Sequence, residues 1–562
     1  MAHAGKDPDT GAHGPEPSEA ETADREFAAA LARLGIEMPP DLAPGVLAGY
    51  RPMRAMAALL RGLDGTDGPL GAAMSDPTPA TASAATPAAA APGALAGLSV
   101  AEAGALLRAG RLSAVELAEH ALDLVEAHDG SLHSFVLVTR EQALDRARQA
   151  DRELREGVDR GPLHGIPYAL KDIFAAEGLP TTNQSRLTVD DVATADSAVE
   201  ERLRAGGGVL LGKLTTYEFA MGGPSPDLPF PPARNPWNTE HIPSGSSSGA
   251  GVAVAAGFLR VAFGSDTAGS MRGPAFHCGT VGLKPTYGLV SGYGATPLSP
   301  TMDHFGPLGW TVADTAAALQ AVAGPDPRDP RTADAPAPDY LAGLTGDVRG
   351  LRVAYSTAWY AADPATLPEI TRGIERALTH LEGLGAIVEE CELPPYELFN
   401  ACGRIVMAAE GFATHEKNLR EAPREFGRFT YQKLLPGAGV GADDLRRALD
   451  VRRRLAEALD RQVFSGHDVL VTACGQTTAA RFDDFPRDWP PPRLANDMQT
   501  IPFALTGHPA MSLPLGFAGN GLPIGVQLVG PRFGEAGLFR AAIPLEAEFG
   551  RREVRPALTG PA

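Results

Sequence analysis

The stretch from Pro243 to Pro285 concentrates serine and glycine among other small residues. Its serines are Ser244, Ser246, Ser247, Ser248, Ser265 and Ser270. Glycine lets a backbone approach a ligand closely or adopt positive φ angles. Hydroxyl groups held on such a backbone predict a reaction centre.

Ser270 is the serine whose local sequence indicates chemistry most directly. It follows Thr267, Ala268 and Gly269, so several backbone N–H groups could converge beside its oxygen. An oxyanion hole requires donors in that arrangement. These three residues are therefore the predicted oxyanion donors.

An apolar run at Ala250–Gly257 follows the first serine cluster. It predicts a buried helix that begins at a serine cap. The alternative interpretation of the cluster is a solvated glycine/serine linker. Apolar residues on both sides of the cluster favour the buried interpretation, because a solvated linker would not tolerate them.

At this point the sequence resembles the amidase signature family. The motifs that carry the likeness are GSSSGAG at 245–251, DTAGSMR at 266–272, GLKPTYG at 282–288, GPLHGIPYALKD at 161–172, TIPF at 500–503 and GVQLVG at 525–530. They extend the resemblance over roughly residues 96–550. The resemblance implies an α/β fold with a central mixed twisted sheet covered by helices on both faces.

The resemblance also implies a catalytic triad and a mechanism without metal or cofactor. Ser270 would be the nucleophile, Ser246 the bridging serine after a cis peptide bond, and Lys171 the base. Lys171 precedes Ser246 by 75 residues and Ser246 precedes Ser270 by 24, spacings similar to those of family members. Ala220 and Gly222 would line the substrate site.

Two small differences from the family pattern flank the predicted serines. Ala268 stands where most members have a glycine before the nucleophile, and Ser244 replaces a glycine before the bridging serine. An oxyanion hole uses backbone N–H groups, so a methyl group at position 268 is compatible with it while narrowing the pocket.

Lys171 lies near the end of an apolar run, 166–173, that predicts a strand. Its amine is either a neutral base or the partner of a carboxylate such as Asp172. Burial beside hydroxyl groups lowers the pKa of an ammonium group, and proton abstraction needs the unprotonated amine.

The composition is that of an ordinary soluble globular protein. The 562 residues carry a formal net charge of −19, which makes nucleic acid a poor partner, and no apolar run is long enough to predict a membrane span. The 4 cysteines form no C-x-x-C pair, which indicates a reducing cytoplasm. The expected partner is a small-molecule amide, and a homodimer is left open.

Four segments are predicted along the chain. Residues 1–24 are polar and predict a disordered terminus, whereas residues 25–64 contain two short apolar stripes of helical period. Residues 65–96 form an Ala/Pro-rich linker, and residues 97–558 form the catalytic domain. Within that domain, the helices of the variable region 326–493 would cover the substrate.

The predicted helical unit at 25–64 resembles the small partner subunit of 1-carboxybiuret hydrolase. An unrelated hairpin packed on the same domain is the alternative. The expected function is hydrolysis of a carbon–nitrogen bond in a small linear amide, such as a urea- or carboxybiuret-derived substrate. The alternatives are an aryl/acyl amide or carbamate hydrolase, the glutaminase subunit of a tRNA-dependent amidotransferase, and an inactive amidase-fold binding protein.

Overall fold

The computed structural model describes residues 18–63, 89–90, 95–332, 337–361, 366–484, 498–550 and 553–558. The helices are α1 (Glu19–Leu34), α2 (Ala43–Arg61), α3 (Val100–Arg108), α4 (Ala114–Leu132), α5 (Arg140–Arg155), α6 (Ala198–Ala205), α7 (Ser248–Ala255), α8 (Arg272–Cys278), α9 (Val312–Val322), α10 (Thr357–Tyr360), α11 (Pro368–Gly383), α12 (Tyr396–Glu421), α13 (Arg428–Leu434), α14 (Ala442–Leu459), α15 (Ile501–Thr506) and α16 (Glu535–Phe549). The strands are β1 (Ala89–Ala90), β2 (Phe135–Val138), β3 (Pro167–Lys171), β4 (Val209–Leu214), β5 (Val261–Asp266), β6 (Val281–Lys284), β7 (His304–Gly309), β8 (Arg352–Tyr355), β9 (Ile387–Glu390), β10 (Val469–Thr472), β11 (Ala510–Phe517), β12 (Pro523–Val529) and β13 (Arg555–Pro556).

An 11-stranded mixed sheet forms the centre of the molecule, in the order β2-β4-β3-β5-β7-β6-β11-β12-β10-β8-β9. Strand β3 lies between β4 and β5 and runs parallel to both, whereas β7 pairs with β5 in the antiparallel direction. The carboxyl ends of β3 and β5 therefore meet at one edge of the sheet. Helices flank the sheet, so the α/β architecture expected from the motifs is confirmed.

The variable region contributes helices to two different layers. Helix α11 packs on strand β12 and its buried face belongs to the core around the sheet. Helices α12 and α14 instead share a second core with α1 and α2. The prediction that all three long helices of 326–493 form the cover is therefore wrong for α11, whose strongly one-sided apolar face is directed at the sheet.

Helix α1 begins earlier than the predicted disordered terminus allows. Ser18 caps the helix by accepting a hydrogen bond from the N–H of Glu21, and the Glu21 carboxylate accepts from the N–H of Ser18 at 2.8 Å. This reciprocal pair satisfies donors that a helix start otherwise leaves open. The prediction of disorder is thus wrong for residues 18–24, and residues 1–17 lie outside the described residues.

The predicted linker at 65–96 is described only in part. Ala89 and Ala90 form β1, whose backbone pairs with Pro556 and Arg555 of β13. This short pairing was not expected from the Ala/Pro-rich composition, since the partner strand lies far away in the sequence. Residues 64–88 and 91–94 lie outside the described residues.

The α1–α2 hairpin packs on its own chain. Tyr50 stacks on Phe27 with ring centroids 4.5 Å apart, and its ring lies against Gly439. The Arg447 side chain donates from Nε to the carbonyl of Leu60 at 2.6 Å, which ties the end of α2 to α14. The hairpin therefore docks on the cover helices of the same molecule.

No helix in the described part of the chain has the length and apolar composition needed to cross a membrane.

Weakening or deleting the packed α1–α2 hairpin should lower the stability of the chain. We expect Tyr50→Ala to lower the free energy of unfolding by about 3–5 kcal/mol, the cost of removing a large buried ring, and deletion of residues 1–64 to lower the melting temperature further. Arg51→Ala, which removes an exposed ion pair with Asp24, should cost less than about 1 kcal/mol. Thermal unfolding of the three variants measures this, and an unchanged melting temperature after deletion would contradict the docking.

Candidate active site

Lys171 is the last residue of β3 and is fully buried. Its position follows from the register of the sheet, in which Leu170 of β3 pairs with Phe263 of β5, so the next residues of the two strands are also neighbours. The ammonium nitrogen Nζ donates to Ser246 Oγ at 2.6 Å and to Ser265 Oγ at 2.8 Å. The sheet edge thus brings one amine and two hydroxyl groups together.

Burial lowers the pKa of Lys171 to about 7, an effect that the carboxylates of Asp303 and Asp266 oppose. The neighbouring Asp172 is not its partner: Lys213 Nζ lies 2.8 Å from Asp172 Oδ1, and both side chains are buried. Of the two sequence interpretations of Lys171, the structure therefore favours a desolvated amine beside hydroxyl groups.

The serine segment enters the site through a cis peptide bond between Gly245 and Ser246. Gly245 has to be a glycine because a Cβ there would lie 2.3 Å from the ring of Tyr217. The N–H of Tyr217 donates to the Ser246 carbonyl at 3.2 Å, and the N–H of Ser247 donates to the Ser270 carbonyl at 3.0 Å. These backbone bonds hold the two predicted catalytic serines on adjacent segments.

Helix α7 begins beside this segment without the expected serine cap. The hydroxyl of Ser247 makes no capping bond; it donates to the carbonyl of Ser265 at 3.1 Å and accepts from the Ser265 N–H. The prediction of a serine side-chain cap is therefore wrong. The hydroxyl is used instead to join the start of α7 to strand β5.

Asp266 organises the turn that carries Ser270. Its carboxylate accepts hydrogen bonds from the backbone N–H groups of Gly269, Met271 and Arg272. Arg272 adds a buried ion pair, with Nη2 2.8 Å from Asp266 Oδ1. Burial alone would raise the pKa of Asp266, but the charge and hydrogen bonds of Arg272 hold it below its ordinary value.

The three predicted oxyanion donors differ in their hydrogen bonds. The N–H of Gly269 already donates to Asp266 Oδ1 at 2.7 Å, so its assignment as an oxyanion donor is not supported by this geometry. Among the described residues, the N–H groups of Ala268 and Ser270 have no protein acceptor. Thr267 directs its hydroxyl to Asp303 at 2.6 Å, which fixes the start of the turn.

Ser270 and Ala268 keep some solvent exposure, whereas Lys171 and Ser246 are buried. Within the described residues the Ser270 hydroxyl makes no hydrogen bond, so the structure shows the predicted lysine–serine contact but not a bond between the two serines. Catalytic hydrogen bonds are often long without substrate and shorten when it binds.

The two residues predicted to line the substrate site lie on one loop. Ala220 is buried and has a positive φ of 60°, directly after Phe219 at 49°. Gly222 lies against α13, where a Cβ would be 3.1 Å from the backbone nitrogen of Thr430. Close packing against Thr430 is sufficient to explain why a glycine occupies position 222.

Left-handed backbone outside glycine is concentrated around this site. Asn183 and Gln184 share it with Phe219 and Ala220, and the N–H of Phe219 donates to the Asn183 carbonyl at 3.0 Å. Ser244 also has a positive φ, of 66°. Such strained residues cost free energy and are found mostly at functional sites.

Comparison with known sequences identifies the family of this chain. The profile of the family described as Amidase matches residues 116–539, more than half of the chain. This chain belongs to the amidase family. It is an amidase-type hydrolase, and the resemblance drawn from the motifs is confirmed, while the α1–α2 hairpin lies outside the matched range.

The chain is similar to amidases and to an amidotransferase subunit. It is 38% identical over 486 residues to a glutamyl-tRNA(Gln) amidotransferase subunit of Moorella thermoacetica, covering 82% of this chain and 98% of the relative. It matches, with a TM-score of 0.75 and 30% identity, a structure from "an unexpected vestigial protein complex" that bears on the origins of an s-triazine catabolic enzyme, covering 82% and 100% of the two chains. It matches the peptide amidase of Stenotrophomonas maltophilia with a TM-score of 0.69 and 33% identity, covering 82% and 98%.

Ser265 was not singled out from the sequence as a partner of Lys171. Its position depends on the pairing of β3 with β5, which a motif comparison does not reveal. The small residues Ala262 and Gly264 alternate along β5 with Val261, Phe263 and Ser265, so this pattern does not single out Ser265.

Proposed function

We propose that this amidase hydrolyses the carbon–nitrogen bond of a small linear amide through an acyl-enzyme on Ser270. The observation that carries the proposal is the 2.6 Å contact between Lys171 Nζ and Ser246 Oγ in a buried site. A lysine whose pKa is about 7 is partly unprotonated at neutral pH and can act as a base.

In the proposed mechanism neutral Lys171 takes a proton from Ser246, which takes one from Ser270 as the Ser270 oxygen attacks the amide carbonyl carbon. The N–H groups of Ala268 and Ser270 stabilise the negative charge on the carbonyl oxygen. The relay then runs in reverse and protonates the leaving nitrogen as the carbon–nitrogen bond breaks. Water attacks the resulting ester, which releases the carboxylic acid and restores Ser270.

The pH dependence of catalysis should follow the protonation of Lys171. We expect kcat/KM for a neutral amide to fall about tenfold per pH unit below pH 7, because protonated Lys171 cannot accept a proton. Burial also raises the pKa of Glu218 to about 7, so Glu218→Gln is the matched control. That variant should keep the same acidic limb, and loss of the limb in Glu218→Gln would assign it to the glutamate.

A second candidate is the glutaminase subunit of a tRNA-dependent amidotransferase. The similarity to the amidotransferase subunit of Moorella thermoacetica favours it, at 38% identity over nearly the whole relative. The structure that bears on the origins of an s-triazine catabolic enzyme is 30% identical and does not by itself indicate a urea-derived substrate. Aryl or acyl amides and carbamates remain compatible with the same chemistry, since the triad selects the bond rather than the groups around it.

Ammonia and amine release by the purified chain separates these candidates. The panel contains glutamine, urea-derived amides, aryl amides and carbamates, each assayed with and without added amidotransferase partner proteins. Turnover by the chain alone supports an independent amidase, whereas glutamine turnover that needs the added proteins supports the second candidate. Labelling of Ser270 by a fluorophosphonate distinguishes either enzyme from an inactive binding protein.

A further inference from the structure

Asp303 lies opposite Thr267 at the point where strands β5 and β7 end their pairing. The two strands are antiparallel and pair Asp266 with His304, so the residue after β5 faces the residue before β7. Thr267 donates from Oγ1 to Asp303 Oδ1 at 2.6 Å, and both residues are buried. The register of the sheet therefore places a carboxylate beside the first residue of the turn that carries Ser270.

The hydrogen bond from Thr267 to Asp303 restricts the direction of the Ala268 N–H. That N–H belongs to the rigid peptide plane that begins at the carbonyl carbon of Thr267. A threonine side chain is stiff about χ1, so holding its oxygen also holds the backbone at Thr267. The next peptide plane is fixed as well, because the hydroxyl of Thr500 donates to the Ala268 carbonyl.

The loop before β7 holds Asp303 in this position. The backbone N–H groups of Leu298 and Ser299 donate to its carboxylate at 2.9 and 3.1 Å. The Asp303 N–H in turn donates to the Ser299 carbonyl at 2.8 Å, so residues 298–303 form a closed turn. With these two N–H groups and the Thr267 hydroxyl bound to it, the carboxylate has a fixed orientation.

Two cover helices hold the same loop from the outside. Glu410 of α12 accepts hydrogen bonds from the hydroxyl groups of Ser299 at 2.6 Å and Thr301 at 2.7 Å. Arg452 of α14 donates from Nη1 to the Thr301 hydroxyl at 2.8 Å and from Nη2 to the Thr301 carbonyl at 2.6 Å. Hydrogen bonds to charged groups are stronger than those between neutral groups. A continuous set of hydrogen bonds thus connects α12 and α14 with Thr267.

We propose that Asp303 is a positioning residue for the hydrolysis, which holds the oxyanion turn through Thr267 and is itself held by Glu410 and Arg452. The inference rests on the proposed function and gives the cover helices a part in catalysis. Asp303 acts by keeping the Ala268 N–H directed at the carbonyl oxygen. Its effect belongs to the rate of bond formation rather than to substrate affinity, because the negative oxygen develops in the transition state.

Labelling by a fluorophosphonate tests the inference without an amide substrate. Ser270 Oγ forms a bond to phosphorus, fluoride leaves, the phosphoryl oxygen takes up negative charge in the transition state, and the serine proton passes through Ser246 to Lys171. We expect Thr267→Val to lower the second-order rate constant about tenfold to 100-fold, less than the loss of a whole oxyanion donor. Thr267→Ser keeps the hydroxyl and should restore a rate close to that of wild type.

Thr315→Val is the matched control for Thr267→Val. Thr315 is a buried threonine of α9 whose hydroxyl donates to the Thr311 carbonyl at 2.9 Å, so the variant loses a comparable hydrogen bond outside the active site. It should label at the wild-type rate, although its melting temperature should fall as it does in Thr267→Val. An equal loss of labelling in the two variants would mean that Thr267 acts through stability alone, which would overturn the inference.

Asp303→Asn separates the charge of the carboxylate from its hydrogen bonds. This variant should label more slowly, and the acidic limb of its rate should move to lower pH, because the negative charge of Asp303 raises the pKa of Lys171. Asp266, the other carboxylate that raises this pKa, stays paired with Arg272. Thr267→Val retains the charge of Asp303, so its acidic limb should stay at the wild-type pH. A general loss of packing would not shift the limb in one variant alone.

Glu410→Gln tests the contribution of the cover helices. Glutamine has the same length but no charge, so we expect the labelling rate to fall about threefold to tenfold. An unchanged rate in this variant would overturn the role of α12, and wild-type rates in both Thr267→Val and Asp303→Asn would overturn the inference as a whole. Failure of the wild-type chain to label would instead overturn the proposed function on which the inference rests.

Discussion

Ser270→Ala is expected to lower kcat by a factor of about 10⁴ or more, because removal of the nucleophile from a serine triad has effects of that size. The neighbouring hydroxyl groups cannot replace it. Ser247 donates to the carbonyl of Ser265 and Ser248 donates to the carbonyl of Thr215, so both hydroxyl groups are already hydrogen-bonded to the backbone. Reaction with a fluorophosphonate should be lost together with turnover.

The matched control for this prediction is Ser248→Ala, two residues after the bridging serine. Its hydroxyl makes one long hydrogen bond of 3.3 Å to Thr215, and we expect turnover within about tenfold of wild type. Both variants should keep the wild-type melting temperature, because each loses one small hydroxyl group. Substantial turnover by a folded Ser270→Ala variant would show that the nucleophile is another residue.

The local parts of the structure could be predicted from the sequence. The stripe of Val46, Tyr50 and Met53 indicated the buried face of α2, since helical period is recorded directly in the order of residues. The pattern S-x-x-E at Ser99 and Ser113 predicts a capping box at each serine, and the structure contains both.

The parts that depended on distant contacts could not be predicted in this way. Gly222 is predicted to line the substrate site, and the structure adds a separate reason for its small size, because a Cβ there would meet Thr430, more than 200 residues away. Ser18 was included in a disordered terminus because a capping box has little weight without the docked helix that follows.

Lys171→Met is expected to lower kcat about 10²–10⁴-fold, the usual contribution of a general base. The acidic limb of the pH profile near pH 7 should disappear in whatever activity remains, because the group responsible for it is absent. Methionine has a similar length and no charge, so the hydroxyl groups of Ser246 and Ser265 lose their nitrogen partner while the space stays filled. A pH profile of kcat/KM for the variant measures both effects.

The stability of the same variant distinguishes a catalytic role from a structural one. The pKa of Lys171 is about 7 in the folded chain and 10.5 in an exposed lysine, so folding releases a proton between these pH values. Wild-type stability should therefore fall as pH decreases from 10.5 toward 7, where the unfolded state binds more protons, and remain at the lower level below 7. Methionine has no such dependence, so Lys171→Met should be at least as stable as wild type at pH 7. A variant that is inactive because it is unfolded at pH 7 would mean that the lysine acts as a structural partner of the serines rather than as their base.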